Sequence, residues 1–368
     1  MPKQLASLAI PAICRNQRHY YGLWLAGFFF HASGCFYVHF VDGTEFRYSE
    51  PVTKFVCDVH YIVLVISNLV CLLHALRLGK LIVFLASFDI CRGSPKIKFR
   101  KALGTLLSVG LLFAVDYLTT SEKQRTRIYM QAVIRDGEYF THATSGAIIG
   151  VYMRAIKACF ATIAANLKLV VGQTSTGGAT HKIKLIRKQH FKLCDLLDRF
   201  NSTFGVYAFS HVVCQTATIF LHLTVLVGFA LIGVNLDPCA PAVDGLVSFA
   251  WIITSWFQAT ILAGIGHGIQ KENVDILAIC HKLSAEISKM PSTDRKRALK
   301  QETQIFVQQI SCRDASISTG GIFVVNYKIL GSILSIVTTY MVVCIQFMLR
   351  NAAVSGNNSN VTIAWSNT

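Results

Sequence analysis

Residues 322–349 read IFVVNYKILGSILSIVTTYMVVCIQFML, twenty-eight positions with a single charge, Lys328. About 20 apolar residues in a helix cross the hydrocarbon core of a bilayer, where only the helix itself can satisfy backbone amides and carbonyls. This stretch is therefore expected to span a membrane. Working outward from it, six more runs of the same kind lie at about 20–40, 57–76, 102–119, 139–166, 206–233 and 246–268. Residues 78–90 form an eighth apolar patch that charges interrupt, read as a cytoplasmic continuation of the second helix. The expected fold is an all-α membrane protein with seven transmembrane helices, forming one domain over residues 1–368.

Composition agrees. Of 368 residues 53% are hydrophobic and only 15% charged, against about a quarter charged in soluble proteins, which excludes an ordinary soluble or disordered chain. Lys and Arg number 35 against 19 Asp and Glu, a net +16. Basic loops resist translocation, so their placement orients the chain. With the N-terminus inside, 25 of the 35 basic residues fall in cytoplasmic segments, seven in outer segments and three within spans. The N-terminus is thus expected in the cytoplasm and the C-terminus outside. Residues 5–12 are too short an apolar run for a cleaved signal and are broken by Pro11, so the first span is expected to serve as the insertion signal. A surplus of positive charge facing lipid headgroups makes membrane lipid the expected basic partner, and nucleic acid is not expected.

Seven helices also describe G-protein-coupled receptors, but those place the N-terminus outside and kink their later helices with proline. None of the seven prolines here lies in a span, and no Asn-Pro-x-x-Tyr closes the last helix. A transporter would show internal repeats, broken helices and paired intramembrane charges, whereas Arg154, Lys157 and Lys328 have no acidic mate within a span. No metal-ligand or acid-base constellation appears, so an enzyme is not expected and no cofactor is implied. Most of the twelve cysteines sit in apolar runs, where thiols pack as small hydrophobes.

The last run carries Thr339-Tyr340, five residues 341–345, then Gln346-Phe347. This pattern resembles the signature of the insect gustatory receptor family, within the seven-transmembrane insect chemoreceptor superfamily. The His190-led amphipathic segment that ends in Asn201 and Phe204 resembles that family's approach to its fifth helix. Cys280, Glu286 and the segment around Gln308 resemble the cytoplasmic region before its last helix. The resemblance covers all seven spans in topology and is specific in motif over the final third.

It implies a tastant-gated, nonselective cation channel in the plasma membrane of sensory neurons, a homo- or heterotetramer with other gustatory receptors, whose seventh helices line one shared pore. Ser332, Ser335, Thr339 and Gln346 recur on one stripe of a 3.6-residue helix. A polar stripe in an apolar span meets water or a neighbouring helix, and both readings stay open on spacing alone. With the resemblance, Ser335, Thr339, Tyr340, Gln346 and Phe347 become the candidate pore and gate residues. Gln346 would replace part of an ion's hydration, Phe347 would close the path by dewetting, and Tyr340 would buttress the helix. The family's main sugar receptors carry an acidic residue directly after Thr-Tyr. Met341 stands there, which points to a non-sugar ligand, a bitter compound or another contact cue. An olfactory-type subunit of the same superfamily is the alternative, and a membrane transporter the more remote one.

The resemblance places the tastant pocket in the outer half of the subunit. Trp251, Thr254, Ser255 and Gln258 share one face of the sixth helix. Tyr117, beside Asp116, and Tyr139 with His142 would complete the wall, although tyrosine and tryptophan near helix ends also form interfacial belts. Between the last two spans, residues 269–321 read as helix, turn, helix. With residues 183–204 they are expected to extend helices below the membrane as an intersubunit anchor. Asn357 and Asn360 are sequons in the outer tail, a glycoprotein signal, whereas Asn201 falls on the cytoplasmic side.

Overall fold

The computed structural model describes the backbone of residues 52–70 apart from 54, 64 and 68, and of 125–172, 178–232 and 240–365. Side chains are described over 52–70, 149–172, 178–231 and 245–351. The spans expected at 20–40 and 102–119 lie outside the described residues. Among the described residues six helices appear: α1 between 52 and 70, α2 (Arg125–Val171), α3 (Ala179–Ile232), α4 (Ala240–Lys289), α5 (Asp294–Cys312) and α6 (Lys328–Trp365). By length and composition three are apolar enough to cross a membrane, over Ala179–Leu231, Gly245–Lys289 and Lys328–Asn351.

The helices outrun the hydrocarbon. α3 is 54 residues and α4 is 50, about 80 and 75 Å at 1.5 Å per residue, so each must project well beyond a core of about 30 Å. Their projecting halves are amphipathic. On α3, Ile183, Ile186, His190, Leu193, Leu197, Phe200 and Phe204 recur at three, four and seven and are buried, while Lys182, Lys184, Lys188 and Lys192 are exposed. On α4, Ile269, Ile276, Cys280, Leu283 and Ile287 form the matching buried stripe.

The chain turns at 290–293, and α5 starts where the Thr293 side chain caps the Lys296 amide at 3.2 Å, with Asp294 in the first turn. Its buried stripe is Leu299, Thr303, Phe306 and Ile310. Helices α2 to α5 thus close a four-helix bundle around Phe160, Phe200 and Phe306, each 0–1% exposed. Burying each phenyl ring contributes roughly 1.5–3 kcal/mol. Arg187 pairs with Glu302 at 3.2 Å, and Arg313 with Asp195 at 2.6 Å, the Arg313 guanidinium lying 4.3 Å above the Phe191 ring. These ties join α3 to α5 and to the segment that follows it. The helix-turn-helix expected from 269–321 is present, with α3 continuing it from above.

One boundary differs. The last helix begins at Lys328, six residues later than the apolar run. Residues 317–325 instead form a tight hairpin. Ser318 bridges Val324, the Val325 amide donates to the Ile317 carbonyl at 2.8 Å, and Gly320 and Gly321 turn the chain with φ of 62° and 83°. Two consecutive left-handed residues end any helix, and the apolar arm enters the protein at Val325, 0% exposed, while Ile322 at the turn stays exposed. The far end differs too. α6 continues to Trp365, so the sequons at Asn357 and Asn360 lie on helical backbone rather than in an irregular tail.

Candidate pore helix and ligand region

α6 has two unlike sides. Ile329, Ile333, Val337, Met341 and Met348 are buried, and α3 is its main neighbour. The Thr224 hydroxyl of α3 donates to the Phe220 carbonyl at 2.9 Å and lies 3.5 Å from the Met341 sulfur. Ser332, Ser335, Thr339 and Gln346, on another stripe, are all exposed in the protomer. Ser332 and Thr339 donate to the carbonyls four residues back, Lys328 at 3.3 Å and Ser335 at 2.8 Å. Their hydrogens are therefore used within the helix, and each hydroxyl oxygen keeps a lone pair facing outward. An outward row of oxygens suits a passing cation.

Tyr340 and Phe347 lie beside that row rather than on it. Tyr340 meets Phe220 of α3 edge-on, ring centroids 6.2 Å apart, and both residues line a cavity of about 1270 Å³ between α1, α3 and α6. Gln346 thus sits on the polar stripe, and Phe347 at its border with the apolar cavity.

On α4, Trp251 and Ser255 are buried, and Thr254 and Gln258 half-buried. The Trp251 ring stacks on His222 of α3, centroids 6.3 Å apart and planes 12° apart, and Gln258 accepts a hydrogen bond from Gln215 at 2.7 Å. These pairs lie two turns apart on antiparallel helices. The face expected to meet a ligand is therefore built jointly by α3 and α4, and His222 and Gln215 are residues that single-helix periodicity passed over. Their spacing of seven, matching that of Trp251 and Gln258, was the available signal. Tyr117 lies outside the described residues, and Tyr139 and His142 fall on α2 where only backbone is described. Further polar contacts join α1 to α3: His60 to the Thr218 hydroxyl at 3.0 Å, and Ser67 to Ser210 at 3.4 Å.

Below the expected membrane, one polar device ties the bundle to the hairpin before α6 and a second closes the bundle itself. Asn201 donates to the Ser316 carbonyl at 2.9 Å and accepts from the Ser318 amide at 3.0 Å. Its side chain clamps the hairpin, so this sequon is engaged in the fold. The second is His190, fully buried where four helices meet. Its Nε2–H donates to the Asn273 Oδ1 at 2.9 Å, Gln309 donates to its Nδ1 at 3.3 Å, and Phe160 and Phe306 present ring edges. Both nitrogens are satisfied only as neutral imidazole. Burial holds the His190 pKa below its ordinary 6.5; the Asn273 bond opposes this and Arg313 adds to it. Burial likewise pushes the Cys194 and Cys280 thiols up to about 12, so both stay protonated.

A group held below its usual pKa binds fewer protons folded than unfolded, so its contribution is complete above about pH 6.5 and is lost as pH falls below that value. The thermal midpoint of the purified protein is expected to drop between pH 7.5 and 5.5, and to drop less in His190→Gln. Equal slopes in the two proteins would show that His190 does not titrate in this way.

These features define a membrane protein in which long helices extend beyond the hydrocarbon into a helical bundle and the last span packs on α3 with a polar stripe exposed in the protomer. The sequence profile of the 7tm Chemosensory receptor family matches residues 12–351, and the chain belongs to that family. Among solved structures it is similar to the insect olfactory receptor OR5 from Machilis hrabei in complex with eugenol, at 14% identity over 90% of each chain, TM-score 0.64. A second structure of that receptor matches at 14% identity over 88% of each chain, TM-score 0.60. The shared fold is the finding at this identity. No curated protein matches the sequence.

Proposed function

We propose that this chain is a subunit of a gustatory-type, ligand-gated, nonselective cation channel, four subunits placing their α6 helices around one pore. The observation that carries the reading is the exposed stripe Ser332, Ser335, Thr339 and Gln346, set apart from the face that α6 packs on α3. In a bilayer such a stripe needs water or a partner. A pore shared with other subunits supplies water to every hydroxyl in the row. The cytoplasmic bundle would hold the subunits together, and the hairpin clamped by Asn201 would fix the height of α6 on that anchor.

The ligand is a small non-sugar compound. Met341 is 8% exposed and in contact with the Thr224 hydroxyl, so the position that is acidic in sugar receptors is here an apolar packing position. The α3–α4 surface around Trp251, His222, Gln215 and Gln258 offers an aromatic platform and amides, a mixture suited to a compound that is part aromatic and part polar. Asn357 and Asn360 would carry sugar on the outer side.

An olfactory-type subunit is the second reading, favoured by the likeness to OR5 over 90% of both chains. The Thr339-Tyr340 and Gln346-Phe347 pattern supports the gustatory one. Whole-cell recording against bitter, sugar and volatile compounds separates them. Current evoked by a nonvolatile, non-sugar compound and surviving G-protein blockade is expected. Current abolished by that blockade would contradict a channel, and responses to volatiles alone would favour the olfactory reading.

A further inference from the structure

The cavity between α1, α3 and α6 meets the polar stripe at Ser332 alone and takes no part in the α3–α4 surface. Its volume, about 1270 Å³, exceeds the roughly 300–1,000 Å³ of a small-molecule site. It is a groove rather than a chamber, because Phe55, Val59, Ile336, Tyr340 and Phe347 on its walls remain 42% to 67% exposed. From Lys328 to Phe347 it follows nineteen residues of α6, about 28 Å, so it runs nearly the depth of the hydrocarbon core, about 30 Å. One leaflet's acyl chains need half of that.

The groove's charge and amides gather at one end. Lys328, Asn326 and Gln270 stand there, with Asn326 and Gln270 joined at 3.4 Å, while aliphatic and phenyl side chains dominate the rest. Among the described residues lining it, Lys328 is the one charge and no carboxylate is present. No ion pair among the described residues includes Lys328 either. A cation at the foot of a long apolar slot is complementary to an amphiphile with a negative head and hydrocarbon tails, and to neither a plain hydrocarbon nor a free anion.

We propose that this groove binds a membrane phospholipid with an anionic headgroup, its acyl chains lying along α3 and α6 and its headgroup held by Lys328 with Asn326 and Gln270. A lipid seated there touches the flank of α6 beside the polar stripe, so it would support the helix on the side that α3 leaves open. The proposal needs only that α6 cross the membrane; it does not depend on which ligand opens the channel.

Native mass spectrometry of the full-length receptor in detergent tests it, with dioleoylphosphatidylserine in competition with dioleoylphosphatidylcholine. The unaltered protein is expected to retain the serine lipid about fivefold over the choline lipid, the effect of one well-placed lysine. Lys328→Gln is expected to bring the ratio near one while both lipids still bind. Lys300→Gln, on the exposed side of α5, should leave the ratio as it was. Val213→Trp, which fills the groove from α3, should reduce retention of both lipids at an unchanged thermal midpoint. Lys328→Gln adds no bulk and keeps the test decisive if the tryptophan variant does not fold. No preference in the unaltered protein, or equal loss of preference in Lys300→Gln and Lys328→Gln, would overturn the proposal.

Discussion

Cells expressing the chain with Gln346 and Phe347 both replaced by alanine are expected to pass cations without ligand, at about ten times the resting current, the effect of roughly 1.4 kcal/mol off a barrier. Gln346 stands on the exposed polar stripe of α6, and Phe347 is 52% exposed at its border with the apolar groove. An apolar ring closes a narrow path by expelling water, and alanine leaves too little bulk to do so. Loss of the Gln346 amide removes an oxygen that replaces part of an ion's hydration, so the variant should also discriminate less between sodium and potassium. Resting and evoked currents both unchanged would show that the gate lies elsewhere. Met348, the next residue, is 1% exposed. Its replacement by alanine should instead reduce thermal stability, by about 2–5 kcal/mol, the usual range for a buried methionine.

Gly205→Ala is expected to uncouple the bundle from α6. A Cβ at this position would stand 2.6 Å from the Gly320 amide nitrogen and 2.9 Å from the Ser318 carbonyl oxygen, both backbone atoms of the hairpin that leads into α6. Backbone held by Asn201 on one side and by the Ile317–Val325 pairing on the other has nowhere to retreat. Overpacking of this kind costs about 1–3 kcal/mol. Ligand-evoked current should fall at least tenfold while the protein still reaches the cell surface, because the bundle core around Phe160 and Phe306 is untouched. Wild-type current from Gly205→Ala would mean that the hairpin shifts without consequence for α6. The same hairpin carries Gly320 and Gly321 at positive φ, which alanine does not readily adopt.

The helical architecture below the membrane was legible because each stripe repeats within one chain segment. The amphipathic segment from His190 to Phe204 announces a buried face before any partner is known, whereas on α4 the residues Val274, Leu277, Ala278, His281 and Leu283 suggest a face of which Leu283 alone is buried, the buried stripe being Ile269, Ile276, Cys280, Leu283 and Ile287. The start of the last helix was not legible from hydropathy. Residues 322–326 are as apolar as a span, but they belong to the hairpin, whose Val325 is buried beside Gly266 of α4 and whose Phe323 ring meets Phe209 of α3, and the two glycines before them were the stronger signal. Pairings between helices were the least accessible. His222 on Trp251 and Gln215 on Gln258 depend on the register of α3 against α4, which neither helix encodes alone. The polar stripe on α6 was readable as a stripe, but its exposure is a property of packing: spacing groups Ser332, Ser335, Thr339 and Gln346 without saying which side α3 takes. The groove along α1, α3 and α6 is likewise visible only once three helices are in place.

Cysteine substitution along α6 tests the central claim, that its polar stripe lines a water-filled pore. Ser335→Cys, Thr339→Cys and Gln346→Cys are each expected to make ligand-evoked current sensitive to block by a charged methanethiosulfonate reagent, with Gln346→Cys reacting fastest from outside. Ile333→Cys and Val337→Cys, buried on the side that α3 covers, are expected to remain insensitive, as is the unaltered chain with its half-buried Cys344. Block at Ile333 and Val337 with none at Ser335, Thr339 and Gln346, in variants that still respond to ligand, would contradict it.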